Sequence, residues 1–220
     1  MLFRSVQVGI IGVLIVFQTE LRSVLEKMGG RSFIGNLNKK SGDMSKAMEC
    51  INNVVAACED FSNDKTGALI VFERSTKLGD VIRTGTVINS DPAIFLIKNI
   101  FYNKAPLHDG ALIIRDYKLY SAGCFLPLSQ NDNIIKDLGT RHRAGIGMSE
   151  NSDSIVVIVS EESGTISIAH NGVLTRDYNS ATLKEELMKL VIGDELNKQN
   201  KQYKIKTFKK KNTDDSESDT

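Results

Sequence analysis

Residues 67–72 (GALIVF) form a nearly continuous apolar run of strand length, with Gly67 at one end and the charged pair Glu73 and Arg74 just past the other. Apolar side chains on consecutive positions of a strand point to both faces of a sheet, so this run reads as a strand covered on both sides. A sheet with helices on each face follows. One covering helix is legible upstream, where Ala47, Met48, Ile51, Val54, Val55, Cys58 and Phe61 recur at the spacing of a buried stripe, with Ser41 or Asp43 as its cap.

Downstream, residues 111–115 and 119–124 read as paired strands joined through Asp116, Tyr117 and Lys118. Residues 154–159 and 165–169 form a second such pair, and Asn171-Gly172 supplies a further tight turn. Asp91-Pro92 opens a helical stretch over 93–101. Asn179 or Ser180 caps a last helix carrying Leu183, Leu187, Leu190 and Val191, with Gly193 placed for a left-handed C-terminal cap. The expectation is an α/β fold: a single domain with a central mixed sheet flanked by helices on both sides, preceded by an apolar N-terminal helix. A length of 220 residues suits one such domain with terminal extensions.

A net charge of +1 creates no overall field of either sign, which argues against a general nucleic-acid binder; no nucleic-acid partner is expected. Cys50, Cys58 and Cys124 are odd in number, lack metal-ligand spacing and sit among apolar residues, which suits buried thiols in a reducing compartment. At the N-terminus, residues 6–17 (VQVGIIGVLIVF) carry no charge but fall short of the ~18 residues that span a bilayer. Hydropathy alone leaves membrane attachment and a docking helix equally open. The lysine-rich stretch 198–211 and the acidic, serine-rich end 214–220 read as a solvated tail.

No GxxxxGK[ST] loop, GxGxxG turn or HExxH helix is present, so the chemistry rests on other segments. In Leu107-His108-Asp109-Gly110-Ala111 an imidazole and a carboxylate are adjacent on a loop. That pair either serves a tight turn or binds a hard cation and accepts a proton. Gly139-Thr140-Arg141-His142-Arg143 concentrates a hydroxyl, two guanidiniums and an imidazole ahead of a helix. Cations oppose the positive N-terminal dipole unless an anion lies there, so the segment suits triphosphate oxygens. Ser160-Glu161-Glu162 places acceptors after an apolar strand and is either a site edge or an acidic turn.

Taken in order, GALIVFER (67–74), LHDGALII (107–114), GTRHRAGIGMSE (139–150) and VSEESGTIS (159–167) resemble diadenylate cyclase domains. The resemblance runs from Leu21 to about Gly193, and residues 17–26 are similar to the linker after the membrane helices of the membrane-anchored bacterial branch. It implies an apolar segment over 1–19 derived from a transmembrane helix, a linker helix over 20–35, a catalytic domain over 36–195 and a charged tail over 196–220. It also implies two ATP condensed into cyclic di-AMP, a homodimer for catalysis, and a divalent metal (manganese, magnesium or cobalt). The location implied is the cytoplasmic face of the bacterial membrane, or the cytoplasm if the N-terminus is truncated.

By the same resemblance, Asp109 would activate the ribose 3′-hydroxyl, and His108, Asp109 and Glu162 would face the metal. Thr140, Arg141, His142 and Arg143 would hold phosphates. Gly110 and Leu126 would line the nucleotide, with Ser160 and Glu161 near its phosphates. Phe125 stands where many relatives carry Tyr, so adenine stacking persists without a phenolic hydrogen bond. Gly145 stands where Ala is frequent, a change expected to act on helix propensity. The alternative function is a catalytically silent nucleotide sensor of the same fold.

Overall fold

The computed structural model describes residues 40–131 and 139–193. The expected apolar helix over 6–17, the linker helix and the tail lie outside these residues. The chain divides into two compact units, Met1–Lys40 and Ser41–Thr220, and the sheet belongs to the second.

Its elements, in order, are α1 (Lys40–Asp64), β1 (Ala68–Phe72), the short α2 (Gly79–Ile82), β2 (Thr86–Ser90), α3 (Ile94–Ile100), β3 (Ala111–Arg115), β4 (Lys118–Cys124), α4 (Thr140–Asn151), β5 (Ile155–Val159), β6 (Ile166–His170), β7 (Val173–Tyr178) and α5 (Ser180–Leu187), which continues as a π-helical turn over Met188–Gly193. The strands form one sheet in the order β2-β4-β3-β1-β5-β6-β7. β1 and β3 are parallel, and every other neighbouring pair is antiparallel.

The apolar runs explain the layering. Along β1, Ala68, Ile70 and Phe72 enter one core while Leu69 and Val71 enter the other. β5 alternates likewise, with Ile155, Val157 and Val159 on one side and Val156 and Ile158 on the other. The first core is closed by α1, α3, α5 and the π turn, through residues such as Ile51, Ile97, Leu183 and Val191. The second is closed by α2 and α4, through Ile82, Ala144, Ile146 and Met148. Each strand of the central trio β3-β1-β5 thus feeds two helical layers, and truncating a side chain such as Ile70 would cost roughly 2–5 kcal/mol. Burial pushes the Cys50 and Cys58 thiols up to about 12, with the Glu49 carboxylate adding to the effect at Cys50.

Several local expectations are corrected. Ser41 and Asp43 fall within α1, after its first residue Lys40, and not ahead of it. Asp91 does not cap α3, whose N-cap is Ala93 without a side-chain bond; the Pro92 carbonyl instead accepts from Asn53 Nδ2 on α1. Gly193 ends the π turn without a left-handed cap. The β3–β4 loop is shorter than expected. Asp116 and Tyr117 take positive φ (50° and 61°) and Lys118 already pairs with Arg115, as in a type I′ hairpin. Asn179 caps α5 as expected, in a reciprocal box with Thr182.

Candidate nucleotide site at one end of the sheet

The site is a consequence of strand direction. β1 and β3 run together while β4 and β5 run against them, so the starts of β1 and β3 and the ends of β4 and β5 meet at the same end of the sheet. Ala68 pairs with Val159 and Ala111 with Cys124. Gly67, Asp109-Gly110, Phe125-Leu126 and Ser160 to Glu162 therefore flank that end together. Strands are spaced ~4.8 Å apart, so Asp109 and Ser160, two strands apart, lie about 10 Å from each other along the sheet.

Gly110 is fixed by its surroundings. Its φ is +116°, and a Cβ there would lie 2.7 Å from the Gly123 carbonyl carbon and 2.9 Å from the Cys124 nitrogen. Only a residue without a side chain lets the turn press on the end of β4. His108 Nδ1 lies 2.6 Å from the Ala105 carbonyl oxygen. A carbonyl only accepts, so Nδ1 carries a proton, and in the neutral ring Nε2 keeps its lone pair. That fits metal ligation, where the second ring nitrogen commonly donates to a carbonyl. Asp109 is exposed beside it.

The second half of the site is a cleft of about 140 Å³ lined by Gly139, Thr140, Arg141, His142, Val159, Ser160, Glu161, Glu162, Ser163 and Arg176. α4 begins at Thr140 with Gly139 as N-cap, no side-chain cap bond and no acidic residue in its first turn. The His142 and Arg143 N–H groups donate to the Gly139 carbonyl, so the N–H groups of Thr140 and Arg141 and the positive end of the dipole coincide with the basic motif, an arrangement suited to anionic oxygens. Arg141 Nη1 donates to Glu161 Oε2 at 2.6 Å. Gly67, absent from the sequence-derived candidates, makes room for this pair. A Cβ there would lie 2.7 Å from Arg141 Nη1 and 3.0 Å from Glu161 Oε2.

His142 is buried and its Nε2 makes no hydrogen bond among the described residues. Burial lowers its pKa below the usual imidazole value; Arg176 lowers it further and Glu162 partly opposes. Arg143 is exposed and does not line the cleft; its carbonyl accepts from Ser129 N at 3.0 Å.

The structure thus gathers Thr140, Arg141, His142, Ser160, Glu161 and Glu162 into one cleft, and sets His108, Asp109 and Gly110 just before β3 and Phe125 and Leu126 just after β4, at the same end of the sheet. The Phe125 ring is 65% exposed, and its backbone is held by a 2.9 Å bond from N to Thr84 Oγ1. His108, Asp109 and Glu162 do not form a three-ligand group; no cluster of three ligating side chains occurs among the described residues. A metal here would need ligand oxygens from the bound nucleotide as well. Gly145 has a packing role besides the expected one. A Cβ there would lie 2.8 Å from Ile158 Cδ1 and 3.3 Å from Val156 Cγ1, so the position is a packing point between α4 and β5 as well as a matter of helix propensity.

Comparison with known proteins identifies the family. The profile of the DisA bacterial checkpoint controller nucleotide-binding (DAC) family matches residues 55–174. Over 185 residues the chain is 40% identical to the cyclic di-AMP synthase CdaA of Bacillus subtilis, covering 84% of this chain and 67% of that protein. Over 155 residues it is 40% identical to the diadenylate cyclase of Mycoplasma genitalium, covering 70% of this chain and 73% of that one. Among solved structures, a double-cysteine variant of DacA from Staphylococcus aureus superposes with a TM-score of 0.63 at 44% identity, covering 64% of this chain and 94% of the other. A hypothetical membrane-spanning protein of Bacillus cereus gives a TM-score of 0.55 at 43% identity, covering 57% of this chain and 61% of that one. With its signature residues at one sheet end and the family profile matching more than half of its length, this chain belongs to the diadenylate cyclase (DAC) family.

Proposed function

We propose that this chain condenses two ATP into cyclic di-AMP and two pyrophosphates, with two protomers facing each other and one ATP on each. The observation that carries this reading is the meeting of the Asp109-Gly110 turn and the basic first turn of α4 at one end of the sheet. In each half-reaction a 3′-oxygen bonds to the α-phosphorus of the opposite ATP. The bond from that phosphorus to the bridging oxygen breaks, and pyrophosphate leaves. Asp109 accepts the 3′-hydroxyl proton, for which an exposed carboxylate beside the sheet end is suited. The side chains of Thr140 and Arg141 and their N–H groups at the start of α4 bind phosphate oxygens and stabilise the charge that grows on the leaving group. Phe125 stacks on adenine and Leu126 packs beside it.

A divalent cation, manganese, magnesium or cobalt, would be held by His108 and Asp109 together with the triphosphate, and would supply Lewis-acid stabilisation of the phosphoryl oxygens. A single-ATP site on each protomer makes the facing homodimer obligatory. We read residues 6–17 as the membrane attachment, which puts the catalytic domain at the cytoplasmic face. No helix among the described residues is long and apolar enough to cross a membrane.

The test is incubation of the purified chain with ATP and manganese, following cyclic di-AMP by liquid chromatography and mass spectrometry, with Asp109→Asn as control. Product from the parent and none from the variant is the expected result. ATP binding without product in several metals would replace this reading with that of a nucleotide sensor.

A further inference from the structure

β7 is the outermost strand on its side of the sheet, and most of its side chains face solvent. Its pairing with β6 is regular from His170↔Val173 to Ile168↔Thr175, and then shifts: the next partners are Ile166 and Tyr178. Two steps along β6 are matched by three along β7, so β7 carries one extra residue at 176–177. Asp177 takes a φ of +67°, an uncommon conformation for a non-glycine residue. Bulges of this kind gather beside functional sites, where they re-aim a side chain.

The side chain concerned is Arg176. Leu174 packs with the core under α4, and alternation puts Arg176 on that same face, opposite Ser167. β7 runs in the same direction as β5, so Arg176 approaches the sheet end where Ser160 to Glu162 lie, and it lines the cleft with Thr140 and Arg141. Two acidic residues, Glu161 and Glu162, line the same cleft, yet Arg176 makes no hydrogen bond or ion pair among the described residues, whereas Arg141 is already engaged with Glu161. A guanidinium brought to a cleft wall by a distorted edge strand and left uncompensated is suited to a ligand anion.

We propose that Arg176 is a phosphate-binding residue of this site, contacting the β- and γ-phosphates of bound ATP and the pyrophosphate they become. The inference rests on the nucleotide being ATP, as proposed above. The choice among phosphates follows from distance. β7 is four strands from β3, about 19 Å along the sheet, so a nucleotide with its sugar by Asp109 presents its outer phosphates to Arg176. Burial lowers the pKa of His142 most, and the Arg176 guanidinium adds to that lowering, as its place on the cleft wall requires.

The test uses the full chain with 3′-deoxy-ATP, which lacks the attacking hydroxyl and cannot react, and with 3′-deoxy-AMP, which lacks the outer phosphates. Calorimetric affinities for both are measured in the parent, Arg176→Ala, Arg176→Lys and the exposed-charge control Lys184→Ala. We expect Arg176→Ala to weaken 3′-deoxy-ATP about ten-fold or more and to leave 3′-deoxy-AMP unchanged, with Arg176→Lys intermediate and the control like the parent. Equal weakening of both ligands would reduce Arg176 to a structural role, and unchanged affinity for 3′-deoxy-ATP would remove it from the site. Cyclic di-AMP formation by the parent is followed in parallel. A parent that makes no product but shows the selective loss would overturn the cyclase reading and leave Arg176 standing. An active parent with no selective loss would overturn Arg176 alone.

Discussion

Where β1 and β3 finish, Glu73 is buried, its side chain 1% exposed, and accepts from Arg115 Nε and Nη2, Lys77 Nζ and the Leu78 N–H at 2.6 to 2.9 Å. Nearby, Asp153 accepts from the backbone N–H groups of Ser75 and Thr76. About 17 Å away, where the same strands begin, Arg176 has no partner among the described residues and His142 Nε2 is buried without a hydrogen bond. Burial alone would raise the Glu73 carboxyl, but its donors outweigh that and hold it below the usual carboxylate range. A cleft of about 180 Å³ opens there too, lined by Glu73, Arg74 and Tyr117, and none of the candidate nucleotide, phosphate or metal residues lines it. The contrast separates a buried carboxylate saturated by the protein from side chains that the protein leaves without hydrogen-bond partners among the described residues, as the proposed nucleotide site requires.

The comparison can be broken most decisively at Asp109. Asp109→Asn removes the proposed base from the open end, and turnover should fall at least 10²-fold with little change in the denaturation midpoint. Retained turnover would remove Asp109 from the chemistry. The converse substitution is Glu73→Ala, which leaves the partly buried Arg115 guanidinium unpaired. It should cost about 3 kcal/mol in chemical denaturation while the folded fraction binds 3′-deoxy-ATP normally. Unaltered stability, or loss of nucleotide affinity in folded protein, would deny the division between the ends.

A finer test is Gly67→Ala. The added methyl would press on the Arg141–Glu161 pair, whose side chains can shift, so stability should change by less than about 1 kcal/mol. The KM for ATP should rise several-fold, and an unchanged KM would mean that the pair's position is immaterial. The smallest effect concerns pH. The folded pKa of His142 lies below its unfolded value, so below about pH 6.5 the unfolded chain binds a proton that the folded imidazole refuses. Nucleotide-free protein should therefore lose stability as pH falls from 7 towards 5, with a shallower slope in His142→Asn. Equal slopes would show that His142 titrates alike in both states. The lowered carboxyls of Glu73 and Asp153 act in a more acidic window, their contributions present above about pH 4 and lost below it.

Legibility in the sequence followed burial. The central strands announce themselves through unbroken apolar runs, and β1, β3 and β5 lie within a residue of where those runs place them. β2 and β7 were not anticipated. Both are edge strands, half-exposed and poor in apolar residues, so neither alternation nor a continuous run marks them. That omission also hid Arg176, which sits on one of them. Gly67 was hidden for another reason: its part is to leave space for Arg141, and nothing in a sequence says which side chain will lie over a glycine.

By itself the sequence determined the α/β class, the two covered faces of the sheet and the two motif segments, because apolar period and residue chemistry are local properties of the chain. Only the tertiary structure decided that the Asp109 turn and the first turn of α4 lie at the same sheet end, and that an edge-strand arginine joins the cleft. Those facts depend on strand order and direction, which join residues 30 or more positions apart and leave no mark in the sequence between them.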